Sequence, residues 1–108
     1  MPAWRNVYMF NYHSKAWRSI REARLRIDEY TCQECKRYGK RVTATTVHHI
    51  QPVNKCREFL KYDTRNLISL CGDCHEAMHD RTTNELTARG LSLLRRKKIN
   101  EIKAPMQL

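Results

Sequence analysis

The chain has none of the features that direct a protein into a membrane or a secretory route. No apolar stretch follows the opening Met1-Pro2-Ala3-Trp4-Arg5, so no signal peptide is expected. No run approaches the roughly 20 apolar residues of a membrane span. No segment repeats. Acidic residues are scarce: 11 Asp and Glu stand against 21 Lys and Arg, giving a net charge of +10 and a pI near 9.8. Such an imbalance points to a polyanion partner, most simply nucleic acid. The basic residues gather in three places: Arg18, Arg21, Arg24 and Arg26; Lys36, Arg37, Lys40 and Arg41; and Arg95, Arg96, Lys97 and Lys98. Any one cluster reads equally well as a solvated face, but three of them around a metal centre favour phosphate contacts.

At 108 residues the expectation is one domain, residues 1–108, with a core small enough to need a metal staple. Without a leader the chain is expected in the cytoplasm, where paired cysteines read as metal ligands rather than disulfides. Cys32-x-x-Cys35 and Cys71-x-x-Cys74 supply the four thiolates of a tetrahedral structural zinc site. Cys56 is left over and reads as a small half-buried thiol. The 35 residues between the pairs exceed a simple four-cysteine ribbon, so a functional insertion is expected there. That insertion holds His48 and His49, and the second pair runs into His75 and His79. One closed site cannot use so many ligands. Two sites are implied, a thiolate knuckle that holds the fold and an imidazole site that does chemistry.

The pattern divides the chain into three stretches. Residues 14–29 carry Trp17, Ile20, Ala23 and Ile27 at helical spacing behind a Ser14 N-cap. Residues 30–79 form the metal module. Within it, 41–50 is expected as a β-branched strand, 55–61 as a short helix, 67–70 as a second strand and 72–80 as a helix, which together make a β-β-α unit. From about residue 84, Leu86, Leu94 and Ile99 suggest a helix interrupted by Gly90, with a basic end and a frayed tail after Pro105. That segment reads equally as one that orders only on DNA.

His75 and His79, four apart on a helix, project from one face and can share a metal, while Cys74 lies about 100° away from His75. His48 and His49 adjoin on a strand, where successive side chains face opposite ways. One can ligate while the other serves as a base near neutral pH. The competing expectation is a single zinc ribbon that leaves its remaining histidines idle, as His13 is expected to be.

Val47-His48-His49-Ile50-Gln51-Pro52, Asn66-Leu67-Ile68-Ser69-Leu70-Cys71, Cys74-His75 and His79 closely resemble the HNH endonucleases. Trp17-Arg18 and Tyr30-Thr31-Cys32 are similar to small bacteriophage and bacterial members, and the resemblance spans residues 16–79. It implies a small α+β fold, a ββα-metal (His-Me finger) core at about 16–80 stapled by a four-cysteine structural zinc, with flanking helices. It implies metal-dependent hydrolysis of DNA, by nicking or double-strand cleavage, leaving 5′-phosphate and 3′-hydroxyl ends. The resemblance makes His49 the general base, His48, His75 and His79 the ligands of the catalytic ion, and Asn66 the residue that steadies loop and base. Cys32, Cys35, Cys71 and Cys74 become the zinc ligands. DNA and phage terminase or packaging proteins are the implied partners, with no membrane. Many relatives carry Asp at the position of His48. Three imidazoles, as in the colicin-type members, suit Mn2+, Ni2+ or Co2+ at least as well as Mg2+. The other readings are a zinc-stabilised DNA-binding module without catalysis, and a nuclease that acts on RNA or inside a larger complex.

Overall fold

The computed structural model describes residues 10–105. Helix α1, Lys15–Ile27, starts where the Ser14 hydroxyl accepts the Trp17 N–H at 3.1 Å. Its inward stripe is Trp17, Ile20 and Leu25. Ile27, expected on that stripe, is instead 57% exposed, because the helix ends there and the chain turns away through Glu29 and Tyr30, both at positive φ. Asp28 fastens α1 to the sheet. Its buried carboxylate accepts two N–H groups from Arg24, at 2.6 and 2.9 Å, and the backbone N–H of Ser69 at 2.9 Å. Burial alone would raise this carboxyl's pKa; Arg24 and Ser69 more than offset that and hold it below its ordinary value.

Helix α2, Gln33–Arg37, follows the first cysteine, and the chain leaves its end through Gly39 at φ 81. Strands β1, Thr46–His49, and β2, Leu67–Leu70, form one antiparallel ladder, with His48 opposite Ile68 and His49 opposite Leu67. The strand expected over 41–50 is therefore four residues long. Upstream of Thr45 the chain pairs with the short 30–32 segment, through a Thr31–Thr43 bridge and the bonds Cys32 N–H to Val42 and Ala44 N–H to Tyr30. That segment turns at once into the knuckle, so the ladder cannot extend and residues 41–43 stay exposed. The helix expected over 55–61 is replaced by two 3-10 turns, Glu58–Tyr62 and Thr64–Asn66.

Helix α3, Gly72–Glu76, is shorter than the expected 72–80. Thr87 takes over where it stops: its hydroxyl donates to the Ala77 carbonyl at 2.5 Å and its N–H to Met78 at 2.9 Å. His79 then pairs with Leu86 in an isolated bridge rather than continuing the helix. Helix α4, Ala88–Arg96, is capped by the Thr87 hydroxyl, which accepts the Gly90 N–H. Gly90 does not interrupt it. A Cβ at that position would come within 2.5 Å of the Met78 carbonyl oxygen, so glycine lets the helix close onto the core.

Leu93 and Ile99, rather than Leu94, are fully buried, and Arg96 reaches the buried Glu34 of α2. The C-terminal segment is thus packed against the knuckle and the core. Of the expected frayed tail, residues 106–108 lie outside the described residues. The sheet separates two core clusters. Trp17, Leu25, Ala44, Val47 and Leu67 pack on the α1 side, while Ile50, Leu60, Ile68, Leu70, Met78, Leu93 and Ile99 pack on the other.

Candidate active site

The four expected cysteines converge. Their sulfurs lie within 4.8 Å of one another, with Cys35 at 3.8 Å from Cys71 and 3.7 Å from Cys74. Tetrahedral zinc with bonds of about 2.3 Å places its sulfurs about 3.8 Å apart, whereas a disulfide would bring them to about 2.05 Å. The Cys35 N–H points at the Cys32 sulfur at 3.5 Å. Burial and the three neighbouring thiols push the Cys74 thiol up, a demand that a shared cation removes. Donor type and spacing both fit a structural metal. Cys56 stays outside, half-buried, with its thiol 3.7 Å from the Val53 carbonyl.

Strand β1 sends its two histidines to opposite faces. His48 turns toward α3, where its ring centroid lies 5.3 Å from His75 and 5.0 Å from His79, and one ring nitrogen from each residue lies within 4.8 Å of the others. His48 is 1% exposed and, among the described residues, its Nε2 has no hydrogen-bond partner. A buried, unpartnered nitrogen facing two more imidazoles fits a divalent ion. Burial, then repulsion from His75, His79 and His49, pushes the His48 pKa down to about 3, so the ring is neutral as a ligand must be. His75 opens from α3 one residue after Cys74, so one short helix serves both clusters. His79 reaches the site from just beyond α3, not from its continuous face. Its Nδ1 lies 3.3 Å from the Asn84 carbonyl; with the proton on Nδ1, Nε2 is left for an ion.

His49 faces α1. Its Nε2 lies 3.0 Å from the Lys61 carbonyl, and its ring stacks on Trp17 at 4.9 Å and 21°, with the Phe10 ring edge-on at 5.2 Å. With Nε2–H donating to Lys61, Nδ1 keeps its lone pair. Burial lowers the His49 pKa, and the Lys61 carbonyl partly counters that. Asn66 is fully buried, and its side chain makes no hydrogen bond to His49. Its Oδ1 accepts the Gln51 N–H at 2.8 Å, while its Nδ2 donates to the carbonyls of Gln51 and Leu60. Asn66 thereby locks the exit of β1 to the 3-10 turn that carries Lys61. His13 is exposed and belongs to neither cluster.

All four site histidines line one cleft of about 840 Å³, together with Arg18 and Arg21 of α1 and, among the described residues, no carboxylate. The carbonyls of Lys61 and Asn84 carry no sequence signal, since every residue has one. The Trp17 stack had one, in the tryptophan adjoining Arg18, but periodicity assigns Trp17 only to the core.

The HNH endonuclease family model matches residues 32–81. Among solved structures, the HNH endonuclease of the deep-sea thermophilic bacteriophage GVE2, determined with manganese ion, is 40% identical, with a TM-score of 0.57 over 60% of this chain and 70% of its own. The chain belongs to the HNH endonuclease family. The expected family and α+β architecture are thus borne out, and as an HNH endonuclease the protein is a phosphodiester hydrolase. The family model covers α2, both strands and α3 and leaves α1 and α4 outside it. No curated protein matches the chain. Among the described residues no helix is long and apolar enough to cross a membrane.

Proposed function

We propose that this HNH endonuclease hydrolyses DNA, with His49 as general base, His48, His75 and His79 holding a catalytic divalent ion, and Cys32, Cys35, Cys71 and Cys74 holding a structural zinc. The observation that carries this reading is the division of labour on β1: one histidine faces the imidazole cluster with a free nitrogen, and its neighbour is held by a backbone carbonyl in the opposite sense. His49 Nδ1 takes the proton of a water that attacks phosphorus opposite the 3′ oxygen. The P–O3′ bond breaks, and the 3′ oxygen takes a proton from solvent. The products are a 5′-phosphate and a 3′-hydroxyl. A bound divalent ion supplies Lewis-acid stabilisation of the charge that builds on the phosphate and the leaving oxygen. Lys61 orients the base, and Asn66 holds the turn that carries Lys61. The charge of +10 supplies affinity for the DNA backbone.

The phage relative and the small-phage resemblance support a phage-encoded enzyme; a bacterial cytoplasm, beside phage terminase and packaging proteins, is the setting we propose for it. The all-imidazole donor set, in a cleft with no carboxylate among the described residues, suits Mn2+, Ni2+ or Co2+ at least as well as Mg2+. In plasmid cleavage across these ions, manganese, nickel and cobalt are expected to support rates at least equal to magnesium. Activity with magnesium alone contradicts the assignment of the ligands.

A further inference from the structure

Helix α1 carries four arginines, and the structure divides them. Arg24 makes two bonds to the Asp28 carboxylate and one to the Thr64 carbonyl, and Arg26 lies 3.5 Å from Glu22. Among the described residues Arg18 and Arg21 meet no carboxylate, and these two line the histidine cleft. Arg21 falls one helical turn after Trp17, on the stripe that stacks on His49. It is also tied to the strand that carries the site. One guanidinium N–H reaches the carbonyl of Thr45, the residue before β1, at 3.3 Å. A guanidinium has five N–H donors in a fixed fork, so four remain for a ligand. Arg18, one turn back and exposed, has no such tether among the described residues.

We propose that Arg21 binds the non-bridging oxygens of the scissile phosphate and stabilises the charge gained on water attack, while Arg18 holds a neighbouring phosphate of the same strand. This rests on the endonuclease reading and adds to it the residues that recognise the substrate's backbone. In a cleft whose remaining polar groups, among the described residues, are imidazoles, hydroxyls and amides, these guanidiniums are cations ready to meet a phosphodiester. Arg21 is held in place before substrate arrives.

Two measurements on the full chain test the proposal. The first is binding of a fluorescent DNA duplex across a salt series without added divalent ion, for wild type, Arg18→Ala, Arg21→Ala and Arg26→Ala. Removing one phosphate-binding cation should reduce the slope of log K against log salt by about 0.9. Arg18→Ala and Arg21→Ala should each show that reduction, whereas Arg26→Ala, from the same helix but outside the cleft, should not. The second is single-turnover cleavage at saturating enzyme. Arg21→Ala should be slower by about 100- to 1,000-fold, with Arg21→Lys recovering part of the rate because it keeps the charge without the fork.

Matched melting curves confirm that the variants are folded; should Arg21→Ala not fold, Arg21→Lys and Arg21→Gln take its place in both measurements. Slopes equal to wild type, or an Arg21→Ala rate equal to wild type, overturn the proposal. A wild type that fails to cleave whichever divalent ion is supplied refutes the endonuclease reading instead, and the slopes still decide the phosphate contacts.

Discussion

His48 and His49 are neighbours in sequence whose surroundings differ because a strand alternates its faces. His48 is enclosed among other imidazoles and held near pKa 3, against 6.5 in an unfolded chain. The folded state therefore refuses a proton that the unfolded state accepts. The stability this confers is present above pH 6.5 and is lost as pH falls toward 3. With the histidine site free of divalent ion, wild type should lose stability through this window more steeply than His48→Leu, by on the order of a few kcal/mol. Urea unfolding at stepped pH checks this, and parallel profiles for the two proteins contradict it. At this scale the two clusters and the opposite facing of His48 and His49 are legible, because side-chain spacing is chemically specific and strands alternate. The carbonyls that hold the His49 and His79 rings are not, because any residue could supply those of Lys61 and Asn84.

Among the elements, β2 and the Ser14 cap follow directly from pattern, and the boundaries that differ from pattern share one cause. A β-branched run reads as strand and a His-x-x-x-His spacing reads as helix, but ladders and helices stop where tertiary partners take the backbone groups. The 30–32 segment does this for residues 42–44, and Thr87 with Leu86 does it for the end of α3. Gly90 reads as a helix breaker for the same reason, since its role lies in a contact distant in sequence. Gly90→Ala gains about 1 kcal/mol in helix propensity but drives a methyl to 2.5 Å from the Met78 carbonyl, a backbone atom one residue before His79. Overpacking of this kind costs typically 1–3 kcal/mol, so a net loss of up to about 2 kcal/mol is expected in urea unfolding. A more stable variant contradicts the packing described for α4.

For the molecule as a whole, the excess of basic residues is visible in composition, but its division of labour is not. Arg24, Arg37 and Arg96 serve the buried carboxylates Asp28 and Glu34, and Glu34 joins the knuckle to α4. Arg18 and Arg21 remain for the cleft. The cysteine cluster and the histidine cluster are built on shared elements, since α3 carries Cys74 and His75 side by side, so a metal held by the cysteines would also fix the position of the histidines. The measurement that tests this most directly is conversion of supercoiled plasmid to nicked and linear forms by wild type and by His49→Ala, with manganese present. Wild type should cleave, and a folded His49→Ala that still binds DNA should be slower by about 100- to 10,000-fold. Equal cleavage by both proteins, or a wild type that binds DNA yet fails to cleave it with any divalent ion, would contradict the assignment of His49 as the base of a nuclease.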